Sequence, residues 1–162
     1  TALQVIHTGG HSAGHCVFYD ANRRLLFSGD EVNNFPNDPR KFYVDLSGSL
    51  AIRRAAIEQL QRLRVEFLLP SHDVPHFSNE VPLQFKEAAD AVLQFQDTIL
   101  SHITNRGEAD IEQMIFDIQQ ARSIPTPTDD YGLFTTTLRV CLRDLLRAGL
   151  VREDTKGIWR TT

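Results

Sequence analysis

Residues 7–15 read HTGGHSAGH, so three histidines and three glycines share nine positions. The apolar alternating run at residues 3–6 that comes before them is typical of a short strand. The glycines let the backbone turn sharply beside His11. A neutral imidazole in such a loop is a ligand that borderline divalent metals prefer. The stretch therefore predicts a strand followed by a loop in which His11 is a candidate metal ligand.

Two more candidate ligands follow predicted strands. Residues 16–19 and 24–28 form a predicted hairpin around turn residues 20–23, and Asp30 comes directly after it. His72 follows a predicted buried strand at residues 65–69. A single histidine near a strand is usually structural, but an ordered trio at strand ends indicates a metal site.

The elements between these residues indicate a mixed α/β architecture. A helix is predicted from about residue 50, with an apolar stripe that runs from Leu50 to Leu63 and a polar face. We expect that polar face to carry Arg53, Arg54, Glu58 and Arg62. Residues 31–46, rich in Asn, Pro and Asp, are predicted to be a long irregular segment with a functional role.

In these motifs residues 3–76 resemble the metallo-β-lactamase superfamily, whose second half commonly reads Pro-Gly-His, then Gly-Asp after a hairpin, then His after a strand. The resemblance implies that His11 ligates one metal, that Asp30 bridges two metals and takes the central catalytic role, and that His72 ligates the second metal. Gly9 stands where the family usually has proline, and Ser71-His72-Asp73 replaces Gly-His-Gly. Neither change removes a ligand.

The family's His-x-His-x-Asp-His motif does not occur in the 162 residues. The resemblance implies two divalent metals, with zinc favoured, in a complete protein whose upstream half supplies this motif. Since a catalytic zinc needs three protein ligands, we expect this chain alone to bind metal weakly or not at all and to be inactive. We also expect an apolar sheet face that the missing amino-terminal half or a symmetry-related chain covers.

Residues 81–162 are predicted to form three helices and a hairpin, the element order of a winged helix. Together with the resemblance, this order predicts an α/β fold class: the carboxy-terminal half of a metallo-β-lactamase αββα sandwich (residues 1–80) followed by a small winged-helix-like domain (residues 81–162). We expect Trp159 to be buried against the third helix, and Arg139, Arg143 and Arg147 to form a solvent-facing stripe.

Composition limits the remaining choices. The net charge is −4, with the acidic excess in the second half, so a small-molecule substrate is favoured over nucleic acid as a partner. No apolar run reaches the roughly 18 to 20 residues of a membrane span. Two widely spaced cysteines, Cys16 and Cys141, favour a reducing compartment, so the predicted location is cytoplasmic.

The leading hypothesis is part of a metal-dependent hydrolase in which metal-bound hydroxide attacks an ester, thioester, lactone or related bond. His15 and His76 are candidates for orienting a ligand or the substrate. The alternatives are a non-catalytic winged-helix module that binds nucleic acid or a protein partner, and nuclease activity of the complete protein.

Overall fold

A computed structural model describes residues 2–32, 47–72, 74–121 and 132–162. Most of the segment predicted to be irregular, residues 31–46, lies outside the described residues. The Pro-rich residues 124–127 also lie outside the described residues.

The described elements follow the predicted order of strand, hairpin, helix and strand, then helices and a second hairpin, with one short strand at His76–Phe77 that was not predicted. Their bounds are β1 Gln4–His7, β2 Cys16–Asp20, β3 Leu25–Gly29, α1 Leu50–Leu60, β4 Phe67–Pro70, β5 His76–Phe77, α2 Val81–Arg106, α3 Ile111–Ala121, α4 Leu133–Arg147, β6 Val151–Glu153 and β7 Trp159–Thr161.

The first five strands form one sheet in the order β1-β2-β3-β4-β5. β2 is antiparallel to both β1 and β3, and β4 is parallel to β3. Three strands, β1, β3 and β4, therefore run in the same direction. Their carboxyl ends meet at one edge of the sheet, where loops commonly carry functional residues.

The two faces of this sheet differ in their surroundings. One face buries Val17, Leu26 and Leu68 in a core that also contains Ile57 of α1 and Phe95 of α2. This core continues through α3, α4 and β7, so the trailing helices share one apolar cluster with the sheet.

The opposite face, here called the open sheet face, carries Val5, Phe18, Phe27, Phe67 and Phe77. These side chains are between 39% and 60% exposed. They are neighbours in register, since Val5 pairs with Phe18, Phe18 with Phe27, and Phe67 with Phe77. An apolar row across five strands is unusual for a surface in contact with water and is typical of an interaction surface.

Helix α1 has the predicted apolar stripe, but the prediction for Arg53 was wrong. Ser49 caps the helix by accepting a hydrogen bond from the amide of Ile52. Arg54, Glu58 and Arg62 are exposed as predicted, whereas Arg53 is only 3% exposed. Its guanidinium is buried because it donates to main-chain carbonyl oxygens in the loop after β3.

The trailing region has three helices and a hairpin, in the order predicted. Trp159 is buried as predicted, although its strand β7 packs mainly against α2, while β6 packs against α4. β7 also pairs with Ala109 in the connection between α2 and α3. The basic stripe on α4 is exposed. None of the described helices combines the length and apolar composition that crossing a membrane requires.

Candidate metal centre

The three predicted ligands lie together at the carboxyl edge of the sheet. The Asp30 carboxylate is between the two imidazoles, with Oδ2 3.9 Å from Nε2 of His11. Its other oxygen, Oδ1, is 3.3 Å from Nε2 of His72. Asp30 thus directs one oxygen to each histidine, which is the arrangement that a bridging carboxylate requires.

The end of β3 places Asp30 in this position. The pairing of β3 with β4 shifts register between Phe27 and Gly29, and Gly29 has a φ of +55°, a conformation that favours glycine. The amide of Ser71 still donates to the carbonyl oxygen of Gly29 at 3.2 Å. The segments that carry Asp30 and His72 are therefore held side by side where the parallel strands end.

The His11 loop is held by the segment that leads into α1. The amides of Ser47 and Gly48 both donate to the carbonyl oxygen of His11, at 2.8 and 3.0 Å, and Ser49 donates to that of Gly10. A Cβ on Gly48 would lie 2.2 Å from the Gly10 oxygen, so only glycine allows this approach.

Helix α4 supports the same segment from the far end of the chain. One carboxylate oxygen of Asp144 accepts from the Ser49 hydroxyl and the Leu50 amide, both at 2.8 Å. Arg143 donates to the carbonyl oxygen of Gly48 at 2.7 Å. The carboxylate lies at the amino terminus of α1, where negative charge is stabilised. The trailing region therefore contributes to the position of His11, and one member of the exposed basic stripe makes an intramolecular contact.

His15 contacts the site through the main chain of Asp30. Its Nε2 accepts from the Asp30 amide at 3.2 Å, and its Nδ1 is 2.9 Å from the Thr8 hydroxyl. The ring also lies edge-on to that of His11, with centroids 5.5 Å apart. These contacts suit the orienting role expected for His15. His76 is buried in β5 opposite Leu68, and its orienting role stays a prediction.

Two charged residues at the site, Glu31 and Arg53, were missed by the sequence analysis. The Glu31 side chain is fully buried beneath the His11 loop, and Arg53 of α1, also buried, donates to the main-chain oxygen of Glu31. Burial alone would raise the pKa of Glu31, but hydrogen bonds from His15 and Thr8 and the charge of Arg53 hold that pKa below its ordinary value. Glu31 is therefore ionised at neutral pH. The only sequence signal was its place directly after Asp30.

The donor set fits a borderline divalent metal such as zinc, but it is incomplete. Two ligands about 2.0 to 2.2 Å from a tetrahedral zinc lie roughly 3.4 Å apart. The Asp30–His72 distance of 3.3 Å agrees with this value, and the Asp30–His11 distance of 3.9 Å is longer. Within residues 2–32, 47–72, 74–121 and 132–162, however, no group of three or more His, Cys, Asp or Glu side chains is arranged to hold a metal ion. His11, Asp30 and His72 by themselves therefore do not form a complete metal site.

Comparison with known proteins agrees with this geometry. Residues 1–72 match the family described as the metallo-beta-lactamase superfamily. The matched segment ends at His72 and includes all three candidate ligands. The match agrees with the resemblance in the sequence, and members of that superfamily are typically hydrolases that bind divalent metals.

Solved structures extend the similarity in fold to the whole chain. A metallo-beta-lactamase family protein from Thermus thermophilus matches with a TM-score of 0.76 and 17% identity, covering 99% of this chain and 49% of that one. A beta-lactamase domain protein from Burkholderia ambifaria matches with a TM-score of 0.65 and 16% identity, and the match covers 99% of this chain and 48% of that one. The inverting sec-alkylsulfatase Pisa1 from Pseudomonas sp. matches with a TM-score of 0.58 and 16% identity, and the match covers 89% of this chain and 24% of that one.

The fold of this chain is therefore that of metallo-β-lactamase proteins. The chain spans about half the length of the first two solved structures. The winged-helix assignment of residues 81–162 stays a prediction, as does the boundary at residue 80.

Proposed function

We propose that this chain supplies one side of the metal site of a metal-dependent hydrolase that acts on an ester, thioester, lactone or related bond. The observation that supports this most directly is the Asp30 carboxylate, with one oxygen toward His11 and the other toward His72. The match of residues 1–72 to the metallo-β-lactamase superfamily supports the hydrolase class. The bond cleaved is inferred from the class of enzyme.

In this proposal His11 and His72 would each hold one divalent cation and Asp30 would hold both. The cations would supply Lewis-acid activation of water and of the substrate carbonyl. The chain's own residues fix the ligands: the loop at residues 47–49 holds His11, and the end of β3 holds Asp30. The side chains of His11 and Asp30 are about one-quarter exposed, and that of His72 is 65% exposed, so a small substrate can approach.

Chelation tests the proposed reaction. In the protein that carries both halves of the sandwich, we expect turnover of a panel of ester, thioester and lactone substrates to fall at least about 100-fold after dialysis against a chelator. Added zinc should restore it, and a panel of phosphodiesters tests the nuclease alternative. Turnover that persists unchanged after complete metal removal would reject the metal-dependent reaction.

We propose further that the open sheet face packs against the other sheet of the sandwich. The described residues leave this face uncovered, and 99% of the chain matches only 49% and 48% of two solved chains. In this proposal the open sheet face is covered by the unmatched half of such a fold. Burial of apolar area at about 25 cal/mol per Å² would provide the driving force.

Self-association of the 162-residue chain tests the proposal for the open sheet face. We expect the chain by itself to form dimers or larger species in light scattering and to bind an apolar dye, because five large side chains face water. Replacing Phe18 and Phe27 together by threonine, which keeps strand propensity, should restore a monomer. Leu93→Gln on α2 is the matched control, since Leu93 is 40% exposed outside this face. A monomeric wild-type chain that binds no dye would contradict the proposal.

A further inference from the structure

Both main-chain polar groups of Asp30 are held by side chains, those of the partly buried His15 and the buried Arg53. Its amide donates to Nε2 of His15 at 3.2 Å. Its carbonyl oxygen accepts from Nη2 of Arg53 at 2.8 Å, and the carbonyl oxygen of Glu31 accepts from Nε of the same arginine at 3.2 Å. The position of the candidate bridging carboxylate therefore depends on His15 and Arg53.

The contacts of His15 define its tautomer. Because Nε2 accepts the Asp30 amide, the proton of a neutral ring must lie on Nδ1. Nδ1 faces two oxygens, the Thr8 hydroxyl at 2.9 Å and Oε2 of Glu31 at 3.2 Å. The Thr8 hydroxyl has one proton and two acceptors within reach, Oε2 of Glu31 at 2.6 Å and the carbonyl oxygen of His15 at 3.1 Å. The shorter contact is with the charged oxygen and takes the proton, so the lone pairs of the hydroxyl are available to Nδ1–H. The hydrogen bonds therefore run in one direction, from the Asp30 amide to His15 and from His15 to Glu31, either directly or through the Thr8 hydroxyl.

The same carboxylate oxygen also contacts the loop of the first candidate ligand. Oε2 of Glu31 accepts the amide of His11 at 3.3 Å. Its second oxygen, Oε1, is buried and has no hydrogen-bond partner among the described residues. Burying a carboxylate costs free energy unless several donors bind it, so the loss of any of these hydrogen bonds would be unfavourable.

We propose that Glu31 is a positioning residue of the metal site: its buried carboxylate selects the Nδ1–H form of His15, which leaves Nε2 to hold the Asp30 amide, and it also binds the His11 amide. Glu31 thereby fixes the positions of two of the three candidate ligands, Asp30 and His11, without itself touching a metal. The relevance of Glu31 to metal binding rests on the proposed function. The hydrogen bonds that lead from Glu31 through His15 to the Asp30 amide, here called the relay, do not depend on that function.

Two-bond ¹H–¹⁵N correlation of the histidine rings tests the relay in the metal-free 162-residue chain. We expect His15 in the wild-type chain to carry its proton on Nδ1, with Nε2 unprotonated. In Glu31→Gln, which keeps the shape and removes the charge, the Nδ1–H population should fall, and exchange of the Asp30 and His11 amide hydrogens should accelerate about 10-fold. Glu58→Gln, on the exposed face of α1, should leave both signals unchanged.

Zinc titration of the same variants separates the relay from the proposed function. Removing a group that orients a ligand typically weakens metal binding 10- to 100-fold, and we expect a loss of about that size for Glu31→Gln only. An Nε2–H form of His15 in the wild-type chain would overturn the relay, as would unaltered ring and amide signals in Glu31→Gln. If the relay is observed but zinc perturbs neither His11 nor His72, the positioning of Asp30 holds and the proposed metal function fails.

Discussion

Replacing Gly10 by alanine is expected to destabilise the chain by about 3 kcal/mol or more. A Cβ at this position would lie 2.0 Å from Oε1 of Glu31 and 2.4 Å from the Cα of Arg53. The first contact is with a buried side chain that three donors hold in place. The second is with the backbone of α1, which cannot rotate away. Relief of the overlap therefore requires the His11 loop and the helix to separate.

Gly14→Ala is the matched control for Gly10→Ala, because it adds the same methyl group to the same loop. No heavy atom lies within 4 Å of the position that its Cβ would take. Its effect on the free energy of unfolding should stay within about 0.5 kcal/mol, as for most surface substitutions. Urea denaturation of both variants measures the difference. Equal stabilities would show that the loop does not pack against Glu31 and α1 as described.

Asp30→Asn is expected to reduce the activity and the zinc content of the protein with both halves of the sandwich, with kcat/KM falling at least about 100-fold. The amide keeps the size of the carboxylate. It loses the negative charge and one of the two oxygens that face His11 and His72. A neutral ligand with one oxygen cannot hold two cations.

Asp90→Asn provides the control for Asp30→Asn. Asp90 is an exposed partner of Lys86 on α2, outside the metal centre. Metal analysis and steady-state kinetics on both variants give the comparison. If Asp30→Asn keeps its zinc and its turnover, Asp30 is not a bridging ligand.

The candidate ligands could be predicted from the sequence because each follows a strand signal. The strand directions then bring the three ligands together. Because β1, β3 and β4 run the same way, His11, Asp30 and His72 lie at the same edge of the sheet. Local pattern and topology agree here, which is the condition under which sequence reasoning succeeds.

Arg53 and Glu31 could not be predicted in the same way. A helical pattern assigns Arg53 to the polar face, and only the main-chain oxygens of the loop after β3 make its burial favourable. Likewise, nothing near Ser49 in the sequence indicates that Asp144 lies at the start of α1. These contacts join residues distant in sequence, so no periodicity records them.

Zinc titration of the wild-type 162-residue chain, followed through its histidine ring nitrogens, tests most directly whether His11, Asp30 and His72 form one side of a metal site. We expect zinc to perturb Nε2 of His11 and of His72, with a dissociation constant weaker than about 1 μM because the described residues hold no complete set of ligands for a metal ion. Asp30→Asn should abolish both perturbations. Stoichiometric binding tighter than about 1 μM, or perturbation of His7, His15 or His76 while His11 and His72 stay unchanged, would contradict the account.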